Sequence, residues 1–306
     1  MVTKVFSKKW QRLLYILAFF LIVLLGDRLI AARIDQVVMT SQFRLSSLYR
    51  GGQNKELVVL GNSRGVNSIY APGIEKNTGL TVINLSYNGM SMQLSEALFS
   101  DYLEHNSPPK LLILEITNLF SSDDLIKDLK IYSRSSNRIK ALIETIEPQI
   151  AFGSNLSYLF SLNSEMLFRV IYYLNKSDQT WINRSQMNPQ LLISVKKMQP
   201  LNLEIKNENI KALLNIIHVA HEKGINIRLL VSPYLPVYAD KIANLSQQIK
   251  TLQKTVGEKQ KIWDYSKGVG NLDGFADRLH LNYKGSTLLM KKLDEAGFFK
   301  INDSAI

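Results

Sequence analysis

The chain has 306 residues and no Cys, with 46% hydrophobic and 21% charged residues. It is long enough for a large core without covalent staples, and it excludes a disulfide scaffold, a Cys-ligated zinc site, an iron–sulfur cluster and a cysteine nucleophile. The net charge of +11 is uneven: residues 1–50 carry eight Lys/Arg against two Asp/Glu, and the rest is only mildly basic, without the basic, aromatic-supported cluster that a nucleic-acid groove needs.

Leu13 to Ala32 is a 20-residue apolar stretch broken only by Asp27 and Arg28, the length that crosses a bilayer as a helix. Lys4, Lys8, Lys9 and Arg12 precede it, and Trp10 and Tyr15 suit a membrane interface. This predicts a single-pass anchor with its short basic end inside and the large body outside the cytoplasm. The rival reading is a cleaved signal peptide, because Leu13–Gly26 has the length of an h-region, but no small-residue cleavage site follows it. Residues 1–33 are thus read as tail and anchor, 34–54, rich in Ser, Gln and Arg, as a stem or linker, and 55–306 as one folded domain.

Five short apolar runs punctuate that domain: Glu56–Leu60, Thr81–Leu85, Leu111–Ile116, Asn226–Val231 and Lys261–Tyr265. They lack strict alternation, as expected of strands buried on both faces of a parallel sheet. Helical patterns lie between and after them, over Met92–His105, around Ile210–Ile217 ahead of Gly224, over Ala239–Thr255 and over Lys284–Ala296. Strand–helix alternation predicts an open α/β fold, a five-stranded parallel sheet with helices on both faces. Residues 121–205 break the rhythm and read as a helical insertion.

In such sheets ligands bind past the carboxyl ends of the strands. The first run is followed by Gly61-Asn62-Ser63-Arg64-Gly65, which puts a Ser on a tight turn, whether as a nucleophile or simply as a helix cap. The second run leads to Gly89, whose backbone N–H can approach a ligand, and the third to Asn118, whose side-chain amide can donate to an oxyanion. Near the end stands Asp277-Arg278-Leu279-His280-Leu281-Asn282, an Asp three residues before a His, the local spacing that lets a carboxylate hold one ring nitrogen while the other accepts a proton. Asp273, seven residues away, is the poorer partner. His218 and His221 share a helix face without a third ligand nearby and read as solvated rather than as a metal site. His105 reads as a helix C-terminal charge.

Taken together, Ser63, Gly89, Asn118 and Asp277/His280, in this order and behind these strands, resemble the SGNH (GDSL-like) hydrolase superfamily. The most specific piece is the DxxH followed by Leu-Asn, in a segment introduced by Trp263-Asp264-Tyr265-Ser266. The first block has Asn62 where that family most often has Asp, and the third reads EITN rather than Gly-x-Asn-Asp. The resemblance implies a three-layer flavodoxin-like fold over roughly residues 56–295, with Ser63 as nucleophile, His280 as base and Asp277 as its partner. The oxyanion hole would comprise the Ser63 and Gly89 N–H groups and the Asn118 side chain, with neither metal nor organic cofactor. The anchor is similar to a branch that acts on acyl esters of cell-surface polysaccharides, often beside a membrane-bound O-acyltransferase. The expected function is a membrane-anchored serine esterase or O-acyltransferase. The alternative is a non-catalytic polymer-binding accessory of a membrane O-acyltransferase system. Residues 121–205 are expected to cap the site, with Arg134, Tyr158, Tyr172 and Tyr173 offering a sugar-binding surface.

Overall fold

The computed structural model describes residues 8–120 and 126–301. Lys4, the first of the basic residues ahead of the apolar stretch, and residues 121–125 at the start of the insertion lie outside the described residues. Five strands, β1 (Leu57–Leu60), β2 (Val82–Asn84), β3 (Leu111–Glu115), β4 (Asn226–Val231) and β5 (Ile262–Asp264), form one sheet. Its order is β2-β1-β3-β4-β5 and every pairing is parallel. Val58 lies opposite Ile83 on one side and Leu112 on the other. Every residue of β1, β2 and β3 is buried, which is why these segments are apolar except for Asn84 and Glu115 at their ends.

The helices in chain order are α1 (Lys8–Thr40), α2 (Arg44–Arg50), α3 (Ser63–Ser68), α4 (Ala71–Thr78), α5 (Met92–His105), α6 (Asn137–Ile146) and α7 (Pro148–Leu156). They continue with α8 (Ser164–Tyr172), α9 (Pro189–Lys197), α10 (Asn207–Glu222), α11 (Pro236–Ala239), α12 (Leu245–Val256) and α13 (Tyr283–Glu295). Helices α5 and α10 pack on each other over one face of the sheet, and α13 packs on α3 and α4 over the other, as right-handed crossovers require. From β1 the sheet grows toward β2 on one side and toward β3 on the other. The crevice at the carboxyl ends of β1 and β3 is the switch point where doubly wound sheets bind ligands. Among the described residues, 126–205 add α6 to α9 and short 3₁₀ turns but no strand of the sheet.

Helix α1 runs unbroken for 33 residues, about 50 Å at 1.5 Å per residue. It is apolar and long enough to cross a membrane, and its side chains from Trp10 to Leu25 are exposed. From Asp27 onward one face packs on the body, with Ala31 and Val38 fully buried. Within the span 34–54 expected as a stem, Val38 and most of residues 41–49 pack into the core. Phe43, Leu45, Leu48 and Tyr49 are buried, and α2 packs against α5. The serines that made the segment look like a linker are buried with partners: Ser41 Oγ donates to the Val170 carbonyl (2.8 Å), and Ser46 Oγ lies 2.8 Å from Tyr132 Oη.

The end of α1 therefore belongs to the folded body. A body that begins at residue 36 loses Ala31 and Asp35, whose carboxylate pairs with Arg134; one that begins at Gly26 keeps both. The shorter body is expected to melt at lower temperature, by roughly 2–4 °C per kcal/mol lost. Equal melting temperatures by calorimetry would contradict this packing.

Candidate active site

Ser63 is positioned by the way β1 passes into α3. Asn62 caps the helix, its Oδ1 accepting from the Arg64 N–H at 2.8 Å. Ser63 is consequently the first helical residue, and its own N–H has no acceptor within the helix. The flanking glycines provide room. A Cβ on Gly61 would lie 2.7 Å from the Glu115 Cβ, and one on Gly65 would collide with Ser86 Oγ. Only with both positions bare can α3 settle onto β3 and the loop after β2.

His280 is positioned by the segment before α13. Phe275 and Leu281, both fully buried, pair as an isolated antiparallel bridge. The loop between them is closed by the Ala276 N–H donating to the His280 carbonyl (2.9 Å). Asn282 holds both ends: its Oδ1 accepts from the N–H groups of Lys284 and Gly285, capping α13. Its Nδ2 donates to the carbonyls of Asp273 (2.8 Å), Phe275 and Ser185. The Leu-Asn after the His is thus a core plug followed by a clamp. Asn282→Ala is expected to cost about 1–3 kcal/mol through the lost cap and the unmet carbonyls. An unchanged unfolding midpoint in urea would contradict this role.

These two elements bring Ser63 and His280, 217 positions apart, together: His280 Nε2 lies 2.7 Å from Ser63 Oγ. His280 Nδ1 lies 2.8 Å from Asp277 Oδ2. The other Asp277 oxygen accepts from the backbone N–H groups of Leu279 (2.7 Å) and His280 (2.9 Å). Burial pushes the Asp277 carboxyl up, but the His280 ring and these N–H groups outweigh it and hold the group below its ordinary 3.8. Asp277 is therefore ionised beside the ring, and the Nδ1 proton faces it. That leaves Nε2 free to accept from Ser63. Asp273, by contrast, is solvent-exposed and lies 3.5 Å from Lys284 Nζ.

Gly89 sits in a turn closed by the Met90 N–H donating to the Tyr87 carbonyl (3.1 Å), with a left-handed φ of +67° that favours glycine. The turn is tied to the end of β1 because the Tyr87 N–H donates to the Gly61 carbonyl (3.1 Å). This brings Gly89 to the same strand end as Ser63. Asn118 is not presented in the same way. It is fully buried in the 3₁₀ turn Ile116–Phe120. Its Nδ2 donates to Ser95 Oγ (3.1 Å), whose own hydrogen goes to the Ser91 carbonyl (3.0 Å), and this fixes the orientation of the amide. One hydrogen of the Asn118 amide thus has a partner inside the fold, while its Oδ1 is buried without one.

Beneath Ser63 lies a buried polar cluster that the sequence reading did not pick out. Glu115 is fully buried at the end of β3; it accepts from Thr117 Oγ1 (2.8 Å) and the Ser232 N–H (3.3 Å), and lies 3.9 Å from Arg64 Nε. Burial pushes this carboxyl up, with Arg64 opposing. The Arg64 guanidinium stacks 3.5 Å from the Tyr234 ring centroid and donates to the Ser232 carbonyl. The signal in the sequence was a carboxylate inside the apolar run LLILEI, which cannot be buried without a partner.

Arg169, Tyr173, Asp178 and Trp181 line a cavity of about 280 Å³ together with Arg44, Val66 and Ser86–Asn88. Arg44 is locked there by Asp178 (2.6 Å) and the Ser86 carbonyl (2.8 Å). Arg134 and Tyr158 line another cavity, of about 390 Å³, on the insertion itself. Arg134 binds Asp35, and Tyr158 lies under the Arg28 guanidinium at 3.8 Å, so both residues serve contacts with α1. Tyr173 stacks on Phe43 at the cavity, and Tyr172 is exposed. On the surface, His218 Nε2 lies 3.3 Å from Glu222, and His105 Nδ1 lies 2.8 Å from the Asp101 carbonyl.

No protein-family model matches the chain, and no curated protein matches it. Among solved structures, a provisionally identified platelet activating factor protein from Streptococcus pneumonia is similar at 13% identity and a TM-score of 0.44, over 92% of this chain and 98% of that one. A provisionally assigned acylhydrolase from Bacteroides fragilis is similar at 14% identity and a TM-score of 0.40, over 82% and 88% respectively. Likeness at this level carries no chemistry; that rests on the Ser63–His280–Asp277 geometry.

Proposed function

We propose that this chain is a membrane-anchored serine esterase or O-acyltransferase of the SGNH type, acting on acyl esters of cell-surface polysaccharide. The observation that carries the reading is the unbroken relay from Ser63 Oγ through His280 to an ionised Asp277. Ser63 Oγ attacks the ester carbonyl carbon as its proton passes to His280 Nε2. The resulting oxyanion is held by the Ser63 and Gly89 N–H groups. Collapse breaks the ester C–O bond, and the imidazolium returns its proton to the departing alkoxide, leaving an acyl-Ser63. Water or a sugar hydroxyl then loses a proton to His280 and takes the acyl group, which frees Ser63. The first acceptor gives an esterase and the second a transferase, with the same residues in the same roles. No metal or cofactor enters these steps.

The polysaccharide assignment is supported by the cavity beside the Ser86–Asn88 loop, where Tyr87, Tyr173 and Trp181 meet Arg44, Arg169 and Asp178. Aromatic faces with charged hydrogen-bonding groups around them suit a sugar ring. The anchor reading places α1 across the cell membrane with the body on its outer side, alongside a membrane-bound O-acyltransferase that supplies or shares the acyl chemistry. The discriminating experiment follows release of p-nitrophenol and acetate from p-nitrophenyl acetate by the purified chain, with and without a soluble polysaccharide acceptor. Turnover with free acetate means esterase; turnover that leaves acetyl groups on the polysaccharide means transferase. No turnover of this or longer-chain esters, with polysaccharide still bound, would replace the reading by the non-catalytic accessory protein.

A further inference from the structure

The face of the insertion nearest α1 carries large apolar side chains that nothing in the fold covers. On α7, Phe152 and Leu156 are four residues apart, hence on one side of the helix, and are 72% and 67% exposed. Phe160 in the next turn is 47% exposed, its ring lying against Gly153 of α7. Three hydrogen bonds fix where this group lies along α1. The Asp27 carboxylate accepts from Ser157 Oγ (2.5 Å), the Tyr158 N–H (2.8 Å) and the Leu159 N–H (3.1 Å). Asp27 stands five residues before Ala32, where the apolar stretch ends. At 1.5 Å per residue, the end of α7 and its following turn are therefore level with a point about 7 Å inside that stretch.

We propose that α7 and the turn through Ser161 seat in the interfacial zone of the same bilayer that α1 crosses, with Phe152, Leu156 and Phe160 among the upper acyl chains. This rests on reading α1 as a membrane span. The lipid is favoured as occupant by continuity, since α1 is exposed and apolar up to Leu25 and again at Leu29 and Ile30, and the turn after α7 is bonded to Asp27 between them. The depth agrees, because interfacial helices bury their apolar faces about 5–10 Å into the headgroup boundary. The rim agrees as well. Arg28 lies over Tyr158, and Lys130 Nζ lies 4.4 Å from the Phe160 ring centroid, so cations stand where anionic headgroups would be. Helix α8 bounds the patch. It is tied to Ser41, about 20 Å further along the chain from Asp27, which keeps Phe168 and Tyr172 outside the zone. The consequence is an active site held at a set height and tilt over the membrane, not swinging on a stem.

The chain has no Cys, so single-Cys variants of the full protein each carry one label. An NBD fluorophore is attached at Leu17→Cys, Phe152→Cys, Leu156→Cys and, as a remote surface site, Lys250→Cys. The proteins are reconstituted in phosphatidylcholine/phosphatidylglycerol vesicles with or without doxyl-labelled lipid. The expected result is that labels at 17, 152 and 156 lose emission to doxyl lipid, and the label at 250 loses it only to aqueous iodide. Quenching at 17 with iodide-accessible labels at 152 and 156 would overturn the inference and leave the anchor standing. No lipid quenching at 17 would remove the anchor reading and the inference with it. Labels at 152 and 156 that are wet in vesicles but shielded from both quenchers in native membranes would give the face to a protein partner, which also overturns it.

Discussion

Ser63→Ala is expected to lower ester turnover on the order of 10⁴–10⁶-fold, the scale seen when a serine nucleophile is removed from a working relay. Its melting temperature should stay unchanged. Both halves follow from the geometry. Ser63 Oγ is the atom facing His280 Nε2, so no acyl-enzyme forms without it. The hydroxyl does not cap α3, a task performed by Asn62, and its loss leaves the helix start intact. A steady-state rate for the variant within tenfold of wild type would put the nucleophile elsewhere.

Asp277→Asn is expected to cost about 10⁴-fold in turnover, because an amide opposite Nδ1 favours the wrong ring tautomer and cannot stabilise the imidazolium. Asp273→Asn should leave the rate near wild type, as its carboxylate faces Lys284 at the surface. The same substitution has a signature in stability. Asp277 is held below 3.8 in the folded chain, so the fold favours the ionised form. Its contribution is complete at pH above the unfolded value and is lost as pH falls through the lower folded one. Melting temperatures of wild type and Asp277→Asn should therefore differ most above the ordinary carboxylate range and converge as pH falls below it. Equal rate losses for the two Asp variants would contradict the assignment of the acid.

The sheet was legible because doubly buried strands announce themselves as apolar runs. All five runs contain the observed strands, trimmed by a residue or two where the end residues leave the ladder. The residues of the relay were legible one by one, because a Ser two residues after a Gly at a strand end and an Asp three before a His are local patterns. Their meeting at 2.7 Å is no local pattern, since nothing local joins positions 63 and 280; it was expected only from the resemblance that the four places carry together. Where composition misled, burial of polar groups was the cause. Ser41, Ser46, Ser47 and Arg44 gave 34–54 the look of a linker. In the fold Arg44 is spent on Asp178, and Ser41 and Ser46 are satisfied inside the core. The contacts of Arg134 and Tyr158 with α1 were hidden for a related reason: their partners lie about a hundred positions away or more, and pairing at that range leaves no pattern. The pairing of the Asn118 amide with Ser95 was not legible either, because the turn that follows β3 sets it.

The most direct test is covalent. The intact chain is treated with a fluorophosphonate at neutral pH and weighed by mass spectrometry, and the adduct is mapped by peptide sequencing. A nucleophilic Ser63 requires one adduct per chain, on Ser63, formed rapidly in wild type and slowed by orders of magnitude in His280→Ala. An unlabelled wild-type chain, or an adduct on any other residue, would contradict the account.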